Sequence, residues 1–169
     1  NVTGYIELYN GLLEIIALDA ASITVVSSGN DLPASQPLTL TALLNDPEEF
    51  ESELITIYNV SATGGTWPVG SSATLQISDD GGNTEIDMRI DSDTDIDDNP
   101  EPVWPVMLTG VLSQYDGSAP YDEGYQIMPR AMTDVADPPT GVSTFAEARA
   151  DSGGTHTVRG FITTPPFAF

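Results

Sequence analysis

The chain repeats itself at a spacing close to the length of a domain, and this internal repeat constrains its fold more than any other feature. The matched pairs are residues 2–11 with 108–117, Ile15 with Ile127, 21–23 with 133–135, 39–43 with 144–148, and 56–60 with 157–161, with an insertion at 118–124. The repeat predicts the closing strands of one unit, then a complete unit, then the opening of a third.

Short runs rich in β-branched and aromatic residues occur along the repeat, which is typical of strands. They predict strands at residues 4–9, 54–62, 73–78, 84–90, 106–114 and 125–128. Asn10-Gly11 and Asp116-Gly117 supply residues that tolerate the positive φ of hairpin turns. Helix is predicted only as short turns, because Asp46-Pro47 and the pair Thr144 and Glu147 match helix-start signals over short stretches.

The charge balance restricts the environment and the partners. The chain has 26 acidic residues against four Arg, no Lys, and a net charge of -22. Such a surface repels phosphate backbones, so we expect no nucleic-acid partner. An Asp-rich surface stays soluble where salt screens its self-repulsion, which favours a halophilic, extracellular setting. The chain has no Cys and no run of apolar residues long enough for a membrane helix, so we expect neither disulfides nor membrane insertion.

Residues 114–116 and 124–130, together with 53–65 and 89–96, resemble a tandem OB-like domain of secreted bacterial surface proteins. Domains of this type accompany extracellular nuclease and lamin-tail regions and are usually not catalytic themselves. The resemblance implies an extracellular or cell-surface location. It also implies that residues 2–16 are the fourth and fifth strands of a preceding unit, and that residues 155–164 form a first strand.

The predicted fold class is therefore all-β: an OB-like five-stranded barrel flanked by N- and C-terminal strand segments of incomplete neighbouring OB units. We predict four regions along the chain. They are closing strands at 1–30, a linker with a short helix at 31–49, a complete OB-like domain at 50–137, and a linker, short helix and exchangeable strand at 138–169.

Catalytic signals are weak. His156 is the only histidine and no Cys exists, so every triad or histidine-dependent site would rest on one residue of a terminal strand. Close carboxylate pairs are expected by chance among 26 acidic residues, so none identifies an acid and base pair. We predict that the chain is not an enzyme, with a carboxylate-only hydrolase as the least favoured alternative.

One acidic run is a candidate calcium site. Its alternating carboxylates are Asp91, Asp93, Asp95 and Asp97, a spacing by which loops gather oxygen ligands around calcium. Ile96 stands where an EF-hand requires Gly, so the EF-hand interpretation fails. Two interpretations remain: a looser calcium loop, and a solvated acidic connection between two strands.

The sequence contains two further kinds of candidate site. Five aromatic residues either form a stacking surface for sugars or pack in the core, and the core is favoured because basic neighbours are lacking. They are Trp67, Trp104, Tyr115, Tyr121 and Tyr125. Asn1 and Asn59 each begin a glycosylation sequon, a short pattern that is common by chance.

The leading functional prediction is an extracellular structural subunit that assembles head to tail by strand complementation into a filament or surface polymer. Its partners would be copies of itself. The predicted assembly residues are Val2, Tyr5, Ile6, Leu8, Val158, Phe161, Ile162, Phe167 and Phe169. The alternative is a non-catalytic accessory module of a larger secreted enzyme, binding a polysaccharide or a calcium-bridged surface.

Overall fold

The structure is a computed structural model that describes residues 1–138, 149 and 153–158. The chain divides into two compact units, Asn1–Asp137 and Pro138–Phe169. In the second unit, Arg149 is helical and Gly153 lies in a turn with a φ of 104°.

The first unit is built almost wholly of strands. The strands are β1 (Gly4–Tyr9), β2 (Leu12–Ala17), β3 (Gln36–Leu38), β4 (Leu54–Gly64), β5 (Ala73–Ser78), β6 (Ile86–Ile90), β7 (Val106–Gln114), β8 (Tyr125–Met128) and β9 (Val135–Ala136). One α-helix, α1 (Leu40–Asn45), and three 3-10 helices at Ala20–Ser22, Pro47–Phe50 and Met132–Asp134 complete it. No helix in the described part of the chain is long and apolar enough to cross a membrane.

Five of these strands close into a barrel. Their order is β4-β5-β6-β8-β7, and antiparallel pairing of β4 with β7 joins the two ends of the sheet. The pairing of β6 with β8 is parallel, and the other barrel pairings are antiparallel. This mixed five-stranded barrel confirms the predicted all-β, OB-like fold. Two short strands extend the sheet, β3 beside β4 and β9 beside β7.

The barrel core consists of the inward-facing side chains of all five strands. Ile55, Ile77, Met88, Leu108 and Ile127 are among those fully buried. The helix α1 adds Leu40 and Leu43, which are also fully buried, so residues 31–49 contribute to this core. The side chain of Thr39 caps α1 by accepting a hydrogen bond from the Ala42 N–H, as an N-cap threonine commonly does.

A β-bulge interrupts β4 where it pairs with β7. The register shifts between Ile57 and Val60, and Asn59 within the bulge has a φ of 61°. Asn tolerates this left-handed conformation better than most residues, which explains its place here. Val60 beyond the bulge is fully buried, so the shift keeps the strand facing the core.

The N-terminal residues form a separate two-stranded sheet of β1 and β2. Asn10 and Gly11 both have positive φ at the turn, as a tight two-residue hairpin requires. Among the described residues, the contacts between the hairpin and the barrel lie at and near the tip of the hairpin. The Asp116 N–H donates to the Asn10 carbonyl oxygen at 2.6 Å, and the rings of Tyr9 and Tyr115 pack edge to face with centroids 6.3 Å apart.

Candidate assembly surface

The β1–β2 hairpin has two unlike faces. Residues paired across antiparallel strands share a face, and neighbours along a strand alternate between faces. One face carries Tyr5, Glu7 and Tyr9 opposite Ile16, Glu14 and Leu12. The other, which we name the apolar face, consists of Gly4, Ile6 and Leu8 opposite Ala17, Ile15 and Leu13. The apolar face contains no polar side chain.

The hairpin reproduces the β7–β8 pair of the barrel in register. Adding 106 to the β1 numbers and 112 to the β2 numbers converts Tyr5↔Ile16 into Val111↔Met128, and Leu8↔Leu13 into Gln114↔Tyr125. We call residues related in this way equivalent. The two intervening pairs also match, so the internal repeat of the sequence is a repeat of strand pairing.

The repeat continues past the second strand. The 3-10 helix Ala20–Ser22 is equivalent to Met132–Asp134, again at an offset of 112. After it, Ile23 bridges to Val2, as Val135 pairs with Leu108 in the barrel. Residues 2–23 therefore have the local structure of the closing half of an OB-like barrel.

The two copies differ in burial. On the apolar face, Ile6, Leu8, Leu13 and Ile15 are 59%, 47%, 58% and 59% exposed. Their equivalents Leu112, Gln114, Tyr125 and Ile127 are 0%, 3%, 8% and 0% exposed. A contiguous exposed apolar patch of this kind is typical of an interaction site in a soluble protein. The face that forms half a barrel core in one copy is open to solvent in the other.

The predicted N-terminal assembly residues divide between the two faces. Ile6 and Leu8 lie on the apolar face, and Val2 continues it beyond Gly4. Tyr5 lies on the opposite face. The sequence prediction omitted Leu13 and Ile15, although the match of Ile15 to Ile127 carried the signal that identifies them.

The predicted C-terminal assembly residues lie mostly outside the described residues. Val158 is described and is 39% exposed. The other four fall in residues 159–169, outside the described part of the chain; they are Phe161, Ile162, Phe167 and Phe169.

Glu51 lies where the hairpin meets the barrel. Burial raises the pKa of Glu51, the nearby charge of Glu48 raises it further, and the backbone N–H of Leu13 in β2 lowers it. Its buried Oε1 has no hydrogen-bond partner within the part of the chain that the structure describes. The junction thus holds one half-satisfied carboxylate.

The four carboxylates of the predicted calcium loop serve different local roles. Asp91 accepts a hydrogen bond from the Asp93 N–H at 3.0 Å, and Asp95 accepts one from the Met132 N–H at 2.7 Å. Asp97 is buried beside the fully buried Ile96, and Asp93 is exposed. Among the described residues, no group of three or more His, Asp or Glu side chains is arranged to hold a metal ion.

The five aromatic candidates do not share one exposed face. Trp67 and Tyr125 are buried, and Trp104 packs edge to face on Trp67 with ring centroids 6.2 Å apart. Tyr115 is exposed and contacts the hairpin through Tyr9. The two sequon residues, Asn1 and Asn59, are both exposed.

Comparison with protein-family models, with curated proteins and with solved structures finds no match to this chain.

Proposed function

We propose that this protein is an extracellular structural subunit whose copies join head to tail, each copy covering the apolar face of the next with its C-terminal strand segment. The polymer is a filament or a surface layer of OB-like barrels. In class, the protein belongs with the tandem OB-like domains of secreted surface proteins that its sequence resembles.

One observation carries this proposal: the apolar face is exposed although its equivalent is barrel core. An isolated two-stranded hairpin is marginally stable in water and needs further strands or a packing partner. The open edge and open face of β1 and β2 offer both, since an added strand gains main-chain hydrogen bonds and apolar contacts together.

The composition supports an extracellular setting. A net charge of -22 without any Lys suits a salt-rich exterior that screens repulsion between copies. Divalent cations screen such surfaces more strongly than sodium does, so calcium at residues 91–97 remains part of this proposal as an aid to assembly.

The proposal is tested by deleting residues 155–169. We expect the full chain to form large assemblies by light scattering and filaments in electron micrographs, and the shortened chain to be monomeric. The barrel lies within Asn1–Asp137, so its circular dichroism spectrum and unfolding midpoint should be retained. Assemblies of unchanged size after the deletion would contradict the proposal.

A pair of point variants tests whether the apolar face is the contact. Ile6→Asp places a charge on the apolar face and should abolish assembly, because an unpaired buried charge costs several kcal/mol. The matched control Glu7→Gln, one residue along β1 on the opposite face, should assemble as the unaltered chain does. Equal behaviour of the two variants would show that the apolar face is not the contact.

A further inference from the structure

The two edges of β7 show which neighbour β1 lacks. Leu108 pairs with Val135 of β9 on one edge and with Ile57 of β4 on the other. Val111 likewise pairs with Met128 of β8 and with Leu54 of β4. In the hairpin, β2 and Ile23 pair with one edge of β1, just as β8 and β9 pair with one edge of β7. Among the described strands, none pairs with the other edge of β1, the one equivalent to the β4 edge.

Residues 157–161 match part of β4 in sequence, and β4 is the strand that has no counterpart beside β1 among the described strands. Their match to residues 56–60 aligns Thr157 with Thr56 and Phe161 with the fully buried Val60. It also aligns Gly160 with Asn59, whose φ is 61°. Gly adopts this conformation without strain, so the segment has the residue that the bulge of β4 requires at that position.

A threonine pair fixes the register. In the barrel, Thr56 of β4 lies opposite Thr109 of β7, and their Oγ1 atoms are 2.7 Å apart. Thr3 is the equivalent of Thr109 at the offset of 106, and Thr157 matches Thr56. Both members of the cross-strand pair are therefore retained where the hairpin and the C-terminal segment would meet.

We propose that residues 155–158 of a second copy add to the open edge of β1 as an antiparallel strand, with Thr157 opposite Thr3 and Val158 opposite Val2. This register rests on the proposed function and specifies which residues of the two copies pair. The added strand makes a three-stranded sheet, the smallest size with independent stability, and places Val158 beside Val2, which continues the apolar face.

Charge favours this segment as the occupant of the open edge of β1. Residues 155–169 contain Arg159 and none of the chain's 26 acidic residues, so the segment approaches an acidic neighbour without carboxylate repulsion.

The test is disulfide cross-linking of the full chain, whose sequence has no Cys to interfere. The variant carrying Thr3→Cys with Thr157→Cys should give, on mild oxidation, a ladder of reducible multimers on a denaturing gel. The control pairs Thr3→Cys with Thr155→Cys, which the proposed register places opposite Tyr5, two residues out of alignment. It should give several-fold less cross-linked product, and Thr157→Cys alone should give no product larger than a dimer.

The outcomes separate this register from the proposed function. A cross-linked product that runs as a monomer would place the strand within its own chain and overturn the contact between copies. Equal ladders from the two double variants would overturn the register and leave assembly intact. Absence of cross-links in chains that still scatter light as polymers would show that the C-terminal segment is not the contact between copies. Absence of any assembly by the unaltered chain would overturn the proposed function itself.

Discussion

The β1–β2 hairpin and the β7–β8 pair of the barrel have the same register, the same following 3-10 helix and equivalent closing contacts, yet one is exposed and the other is core. Local pairing is thus set by residues near in sequence, through the turn and the alternation of side chains. Burial depends on the strands β4, β5 and β6, which cover β7 and β8 but have no counterpart packed on the hairpin among the described residues.

The largest difference in the free energy of unfolding should come from truncating, one at a time, two equivalent side chains of the hairpin and the barrel. Ile127→Ala should lower the free energy of unfolding by about 2–5 kcal/mol, because it leaves a cavity in the core. Ile15→Ala should change it by less than about 0.5 kcal/mol, because Ile15 is exposed. Urea unfolding followed by tryptophan fluorescence measures both, in chains shortened at residue 154 to keep them monomeric. Similar losses at the two positions would mean that the hairpin already has a buried core.

The two equivalent glycines should differ less. A Cβ at Gly110 would lie 2.7 Å from the Ile127 Cγ2 atom and 2.9 Å from the Met128 carbonyl, so Gly110→Ala should cost about 1–3 kcal/mol of barrel stability. A Cβ at Gly4 would meet the Ile16 carbonyl oxygen, so Gly4→Ala should open the hairpin and leave the barrel intact.

Hydrogen exchange distinguishes the two effects of these substitutions. Gly4→Ala should speed exchange only at β1 and β2 amides, whereas Gly110→Ala should speed it throughout the barrel. Exchange that rises everywhere in Gly4→Ala would show that hairpin and barrel unfold together.

The smallest contrast concerns the carboxylates at the two 3-10 helices. Burial acts to raise the pKa of Asp134, but hydrogen bonds from the Arg130 side chain and N–H and the Arg130 charge outweigh it, so this pKa is lowered. A lowered pKa adds stability above the unfolded value of about 3.9, and this stability is lost as the pH falls through the folded value. Asp134→Asn should therefore cost about 1–2 kcal/mol near pH 7, and less as the medium becomes acidic.

The matched change in the hairpin is Asp19→Asn. The Asp19 side chain accepts hydrogen bonds from the Ser22 hydroxyl and N–H in full exposure. Its loss should leave barrel unfolding unchanged at every pH. Chemical denaturation between pH 3 and pH 7 compares the two variants, and a pH-independent cost for Asp134→Asn would contradict the assignment to its charged form.

Much of the barrel could be predicted because its strands carry their own signals. The bounds of β1, β5, β7 and β8 match the predicted ranges, since alternation and turn residues define both ends. The predicted strand at 84–90 begins later, at Ile86, because Asp80 holds Asn83 and Thr84 in the preceding turn. β3 was not predicted, because it contains Pro37 and its pairing depends on β4, which is distant in sequence.

The candidate site was only partly predictable. The sequence pattern of an apolar strand is the same whether other strands cover it or not. The exposure of Ile6 and Ile15 is therefore seen only in the structure. The repeat identified which residues are equivalent, and the register assigned Tyr5 to the face opposite Ile6.

The contact between the hairpin tip and the barrel joins equivalent residues: Tyr9 packs on Tyr115, its own equivalent, and Asn10 bonds to Asp116, likewise its equivalent. Contacts between like positions are the mark of a local two-fold axis, and a two-fold contact satisfies both surfaces at once. It therefore cannot be propagated from barrel to barrel. In the proposed polymer this contact stays within each copy, and the strand added to β1 is the contact that joins one copy to the next.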